Sequence, residues 1–353
     1  MEFQIAVLPG DGIGPDVTAE AVRVLRAVEA CLPGARFHFN EYSVGAGEYL
    51  RSGNPLPDAV MDACTKADAI LLGAMGLPDV RWPSGTEMAP QLDLREELDL
   101  YAGIRPCRLY HENDTPLKGR RGGEIDLVVV RENTEGLFFG RKKAHDMDGI
   151  EVIDPLRISR HGAARICRSA FELARKRRKQ VSLIDKANVL PSMVYFRSVF
   201  LDVAQSYPDV RAEMLYVDAT ALYLVQRPER FDVLVTENMF GDILSDLTAG
   251  IVGGMGMAPS ADIGDRHAVF QPSHGSAPDI ARMGIANPVA TILSAAMMLD
   301  WLASEETTAG AQRIYRAVEN VLADPWARTA DLNGALSTEQ MGRRIAEAVA
   351  ADS

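Results

Sequence analysis

The sequence predicts an α/β fold, and three observations carry that prediction. Short apolar, β-branched runs of strand length recur at residues 3–8, 67–75, 124–130, 181–184 and 231–235. Between them lie segments of helical period, such as Val17, Ala21, Val24, Leu25 and Val28 after Pro15. Several strands end in small or charged clusters, the position at which α/β sheets collect their ligands.

Composition narrows the function. A chain of 353 residues holds about two domains. With 47% hydrophobic and 24% charged residues, it has the make-up of a soluble globular protein. A net charge of -12 and a pI near 5.1 argue against a nucleic-acid or anionic-membrane partner. A small anionic substrate held by a few local arginines stays open. Cys31, Cys64, Cys107 and Cys167 are scattered without CxxC spacing, so we expect a reducing compartment and no disulfide or zinc scaffold. The amino terminus runs into a strand without the pattern of a signal peptide. The longest apolar region, 289–299, falls short of the ~20 residues a membrane span requires. A cytoplasmic protein is expected.

The first strand leads into PGDGIGPD and a helix from Pro15. Gly10, Gly12 and Gly14 do not meet GxGxxG, because Pro15 occupies the last glycine position. A tight strand-to-helix turn is the simpler reading. After the strand 67–75, a loop at 77–90 precedes a helix expected at 91–102, with Leu92, Leu94, Leu98 and Tyr101 on its apolar face. Arg95 stands four residues before Asp99, the spacing of a surface pair, and Arg105 follows the helix. The strand 124–130 delivers Arg131-Glu132-Asn133 to its end. Each of the three arginines alone reads as a salt bridge; together they suit a dicarboxylate, which guanidinium grips bidentately.

A helix at 161–179 ends in a basic run that complements its dipole. The strand 181–184 carries Asp185-Lys186-Ala187-Asn188, and a lysine among carboxylates can relay a proton. A strand at 214–218 ends on Asp218. After the strand 231–235, Gly241 opens a helical run with Asp242 and Asp246 one turn apart on one face. A hard divalent cation would relieve their repulsion, although on spacing alone a solvated acidic pair is the plainer reading. Gly250, Gly253, Gly254 and Gly256 then end the helix in a tight turn. Within 269–288, His274-Gly275-Ser276-Ala277-Pro278-Asp279 forms a turn into a short helix, with room for close backbone approach. Asp279 suits a ribose hydroxyl. The helix 288–303, with Met297 and Met298, reads as core. No internal repeat or low-complexity linker is visible.

Taken in order, LPGDGIGP, LDLREELDLYAGIRP, RENTEGLFFG, DKANVL, YVDA, NMFGDILSD and HGSAPDIA…GIANP resemble the metal-dependent β-decarboxylating dehydrogenases. That isocitrate/isopropylmalate dehydrogenase family also acts on homoisocitrate, D-malate and tartrate, and the isopropylmalate branch looks nearest. The resemblance covers nearly the whole chain. It implies a two-domain α/β fold distinct from the Rossmann fold. Residues 1–100 and 254–353 would form a cofactor-side domain, and 101–253 a substrate, metal and dimerisation domain. Arg95, Arg105 and Arg131 would hold the malate carboxylates and hydroxyl, with Gln91 and Phe138 beside the substrate. Asp242 and Asp246, with Asp218 of a second subunit, would bind Mg2+ or Mn2+. Lys186, also from the second subunit, would be the general base or its relay, acting beside Asp218, so the active form would be a homodimer. His274, Gly275, Ser276, Ala277, Asp279 and Asn287 would line the adenosine side of NAD, with Asp279 repelling the 2′-phosphate of NADP. The implied reaction is oxidation at C2, loss of the β-carboxylate as CO2 and protonation of the enolate.

Three positions depart from the family pattern. Phe138 stands where the family usually carries the tyrosine regarded as the acid for enolate protonation, and phenylalanine has no proton to give. Water or another group then substitutes, or decarboxylation slows, or the reaction stops at an earlier stage. Gln271 replaces a glutamate common before PxHG in the isopropylmalate branch. Gln91 replaces an apolar residue facing the substrate's alkyl group, which favours a smaller or more polar C3 substituent. The expected activity is therefore oxidative decarboxylation of a 3-isopropylmalate-like malate, with D-malate, tartrate and isocitrate as alternative substrates. A non-catalytic regulatory paralogue is the alternative of another class; Phe138 favours it and the intact acids, lysine and arginines oppose it.

Overall fold

In the computed structural model, which describes residues 1–142, 145–147, 149 and 151–352, the predicted alternation builds one sheet of ten strands. β1 (Glu2–Gly10) turns through PGDGIG into α1 (Gly14–Cys31). Gly12 has φ +58, and a Cβ there would lie 1.9 Å from the Ser276 carbonyl oxygen, so only glycine fits. α1 buries Val17, Ala21, Val24, Leu25 and Val28, the positions its period singled out. β2 (Arg36–Glu41), α2 (Ala46–Ser52), α3 (Asp58–Lys66) and β3 (Ala69–Ala74) follow. β3 is buried at every residue, as a strand covered on both faces must be.

α4 (Pro90–Glu97) is shorter than the expected 91–102, because Asp99 takes a left-handed backbone with φ 48 and β4 (Ala102–Arg108) starts directly after. β4 runs antiparallel to β5 (Asp126–Glu132), which includes Arg131. β6 (His145–Met147) and β7 (Glu151–Ile153) form a separate antiparallel pair. α5 (Arg160–Arg175) is capped by the Ser159 hydroxyl and ends before the expected residue 179, since Lys179 is left-handed ahead of β8 (Gln180–Asp185). α6 (Pro191–Ala204), β9 (Arg211–Tyr216) and α7 (Val217–Gln226) come next. Asp218 thus sits in the first turn of α7 rather than at a strand end.

β10 (Val233–Thr236) leads to α8 (Asn238–Gly250). This helix begins before Gly241 because the Glu237 carboxylate accepts from the Met239 and Phe240 amides. β11 (Pro259–Ile263) and β12 (Ala268–Pro272) form a hairpin, and no helix occurs in 273–288. The turn at 274–279 therefore feeds an extended loop held by backbone bonds, not the short helix expected. α9 (Val289–Trp301), α10 (Glu305–Ala323) and α11 (Thr338–Ala351) close the chain, the last two with capping boxes at Ser304 and Ser337.

The sheet order is β2-β1-β3-β12-β11-β4-β5-β10-β8-β9. Its middle, from β12 to β5, is antiparallel, and both flanks are parallel. One hydrophobic cluster joins Ile5, Leu25 and Leu71 with Phe270, Leu299 and Ile345; another joins Val130, Phe171, Leu183, Phe200 and Val235. No helix among the described residues is long and apolar enough to cross a membrane.

Candidate active site

A cavity of about 220 Å³ opens beside the antiparallel middle of the sheet. Gln91, Arg95, Arg105, Arg131, Phe138 and Asp242 line it, together with Gln271, His274 and Gly275. The fold thus gathers side chains from α4, β4, β5, α8 and β12 at one place.

Each arginine is held differently. Arg95 Nε donates to Asp262 Oδ2 at 2.8 Å. The surface pair with Asp99 does not form, because α4 has already ended; Asp99 instead accepts from Arg165 at 2.7 Å. Arg105 reaches from the middle of β4 to Ser245 Oγ at 2.5 Å and lies 3.5 Å from Asp242. Arg131, only 1% exposed, sets Nε and Nη2 on the Asn238 amide oxygen at 2.9 and 2.7 Å, and Nη1 on Asp242. Its guanidinium carbon lies 5.2 Å from the Phe138 ring centroid. Burial first, then repulsion from Arg105 and Arg95, pushes the Arg131 pKa down to about 9. Burial and Arg95 lower that of Arg105 too. Three buried guanidiniums against one lining carboxylate leave the cavity net positive, a setting for an anion.

Asp242 and Asp246 stand one turn apart on α8, with side chains 41% and 57% exposed. Burial raises the Asp246 pKa, Arg105 opposes that rise and Asp242 adds to it. Two hard oxygen donors on one face match a divalent cation in kind. Among the described residues no group of three His, Cys, Asp or Glu side chains forms a metal cluster around this pair. Asp218 accepts from Lys186 Nζ at 2.8 Å, which holds its carboxyl below the usual range. Neither residue lines the cavity.

The loop after β12 is fixed to the first turn of the chain: Ile13 N donates to Ser276 O at 2.7 Å, and Ser276 Oγ to Gly76 O. Ala277 is left-handed, with φ 36. The His274 Nδ1 pairs with Gly275 O at 2.9 Å, while its buried Nε2 has no partner among the described residues. Burial lowers the His274 pKa. A Cβ on Gly275 would meet nothing within 4 Å, so the loop is open there. Asp279 lies on an exposed turn. Asn287 Oδ1 caps Val289 N at 3.0 Å and its Nδ2 donates to Asp331 at 3.1 Å. Ser276, Ala277, Asp279 and Asn287 do not line the cavity.

Asp262, Asn238, Ser245 and Asp331 were not singled out from the sequence. The one available signal was Asp262 as the single charged residue of its strand; its arginine partner lies 167 residues away.

Residues 4–345 match the family model described as isocitrate/isopropylmalate dehydrogenase. The chain is 43% identical to the 3-isopropylmalate dehydrogenase of Zymomonas mobilis, over 98% of this chain and 100% of that one. It is 44% identical to the Thermotoga maritima 3-isopropylmalate dehydrogenase, over 97% and 98%. Among solved structures it resembles the isocitrate dehydrogenase of Methylococcus capsulatus (TM-score 0.89, 38% identity, 99% of both chains covered). It also resembles a β-decarboxylating dehydrogenase of Thermococcus kodakarensis (TM-score 0.81, 37% identity, 98% and 96% covered).

Proposed function

The chain belongs to the isocitrate/isopropylmalate dehydrogenase family, and from that premise we propose that it oxidises and decarboxylates a 3-isopropylmalate-like malate with NAD and Mg2+ or Mn2+. The observation that carries the reading is the wall of Arg95, Arg105 and Arg131 facing Asp242 in one cavity. Guanidiniums suit two carboxylates and a hydroxyl, and the acids suit the cation.

In this reading the arginines orient the substrate, and Gln91 and Phe138 shape the space around its C3 substituent. Asp242 and Asp246 hold the metal with Asp218 of a second copy. Lys186 of that copy takes the hydroxyl proton, directly or by relay, while Asp218 beside it completes the catalytic pair. Exposed apolar side chains on α6, β9, α7 and α8, among them Tyr195, Met214, Leu222 and Ile243, support a homodimer. His274, Gly275, Ser276, Ala277, Asp279 and Asn287 hold NAD; His274 Nε2, without a partner among the described residues, and the open Gly275 fit a ligand there. When bound, NAD accepts the hydride and the metal polarises the C2 oxygen. Residues 1–100 with 254–353 form the cofactor-side domain and 101–253 the other, a division that the separate hydrophobic clusters support. A cytoplasmic site of action accords with four free cysteines.

Gln91 in the cavity favours D-malate, tartrate or isocitrate as a second reading of the substrate. The test is NADH formation with CO2 release in parallel, for isopropylmalate and those three acids with Mg2+ or Mn2+. Equal NADH and CO2 from one of them carries the proposal. NADH without CO2 would leave a plain hydroxy-acid dehydrogenase, and no turnover in a folded, NAD-binding protein would point to the regulatory paralogue.

A further inference from the structure

Asp262 lies behind the cavity wall, 1% exposed. Three donors from three elements converge on its carboxylate: Arg95 Nε of α4 at 2.8 Å, Asn133 Nδ2 after β5 at 2.7 Å, and Gln271 Nε2 of β12 at 2.6 Å. Arg95 and Gln271 share one oxygen. Gln271 stands opposite Ser260 in the β11–β12 pairing, which puts its side chain on the same sheet face as Asp262, two residues further on. Against a carboxylate the amide must present its NH2, so the contact fixes which end of Gln271 points where. Arg95 commits only Nε: no hydrogen bond runs from its terminal amino groups to a described residue, and the side chain lines the cavity.

We infer that Gln271 is a positioning residue: its amide holds Asp262, Asp262 aims the Arg95 fork into the cavity, and no titrating proton is involved. The link to catalysis rests on the proposed reading of Arg95 as a substrate-carboxylate ligand. A glutamate at this position, as in the pattern the isopropylmalate branch shows, would place two carboxyls in hydrogen-bond contact. Such a pair persists only while it shares a proton. Arg95 from α4, Arg105 from β4 and Arg131 from β5 act on Asp262, and Asp242 from α8 and His274 after β12 line the same cavity. Gln271 makes the contact without a shared proton.

The test compares the wild type with Gln271→Glu and Gln271→Leu in the full-length protein, reading KM, kcat and Tm against pH. In Gln271→Glu, low pH supplies the shared proton and KM matches the wild type. As pH rises the proton leaves, the two anions repel, and KM climbs relative to the wild type with kcat changing less. Gln271→Leu raises KM by about tenfold or more at every pH, the loss expected for a hydrogen bond to a charged group. A KM profile of Gln271→Glu that superimposes on the wild type, or an unaltered KM in Gln271→Leu, overturns the inference and leaves the proposed function standing. Should the wild type turn over none of the malates, the functional reading fails instead, and Tm decides. A Tm deficit of Gln271→Glu that grows with pH supports the clamp; a deficit constant with pH overturns it.

Discussion

Lys186 and Asp218 are paired at 2.8 Å between the end of β8 and the first turn of α7, and neither lines the cavity that holds Asp242. The proposed site draws Lys186 and Asp218 from a second copy. Lys186→Met and Asp242→Asn should each be inactive alone. Mixed and reassociated, they should recover about a quarter of wild-type activity, because half of the dimers are hybrids and each hybrid has one intact site. A mixture as inactive as its parents would show that the site lies within one chain.

Asp242→Asn should end metal-dependent turnover while the protein still folds. The change keeps an oxygen for Arg131 and removes the charge a cation needs, at a half-exposed position. Circular dichroism should be unchanged. Surviving activity would move the metal elsewhere.

Asp279→Ala should weaken NAD binding more than substrate binding, since Asp279 lies on the loop after β12 and outside the arginine wall. Titration of each ligand separately reads the difference; equal losses would remove Asp279 from the cofactor site.

Phe138 packs near Arg131 without a proton to donate. If a missing acid limits the wild type, Phe138→Tyr should raise CO2 release relative to NADH formation. An unchanged ratio would mean that another donor already serves the enolate.

Gln91 buries its amide oxygen without a partner among the described residues, a cost of about 1–3 kcal/mol. Gln91→Leu should remove that cost and raise Tm. It should also shift kcat/KM toward isopropylmalate over tartrate by about tenfold, the scale at which small pocket changes discriminate. A shift toward tartrate would contradict the role given to Gln91.

Much of this was legible in the sequence because it depends on local period. The buried face of α1 and the strands β3, β8 and β10 follow from apolar spacing alone. The helix pair Arg95–Asp99 failed because one left-handed residue ended α4 early, an event that propensity does not signal. The order of the strands was out of reach for another reason. Neighbours in the sheet are set by packing between distant segments, as Asp262 and Arg95 illustrate. Of the residues missed, Asn238 and Ser245 are ordinary polar residues that matter only for what they touch, and Asp262 and Asp331 are acids whose partners lie far along the chain.

β3 and β4 follow one another along the chain, yet the β11–β12 hairpin stands between them in the sheet. During synthesis, the amino-terminal strands must wait with one edge of β3 bare until the hairpin emerges. Bare edges recruit other chains, and a closure that joins such remote segments is slow. A nascent chain halted before β11 would therefore carry two incomplete sheets with nothing to join them. The hairpin is the keystone of the assembly, and the ribosome delivers it late.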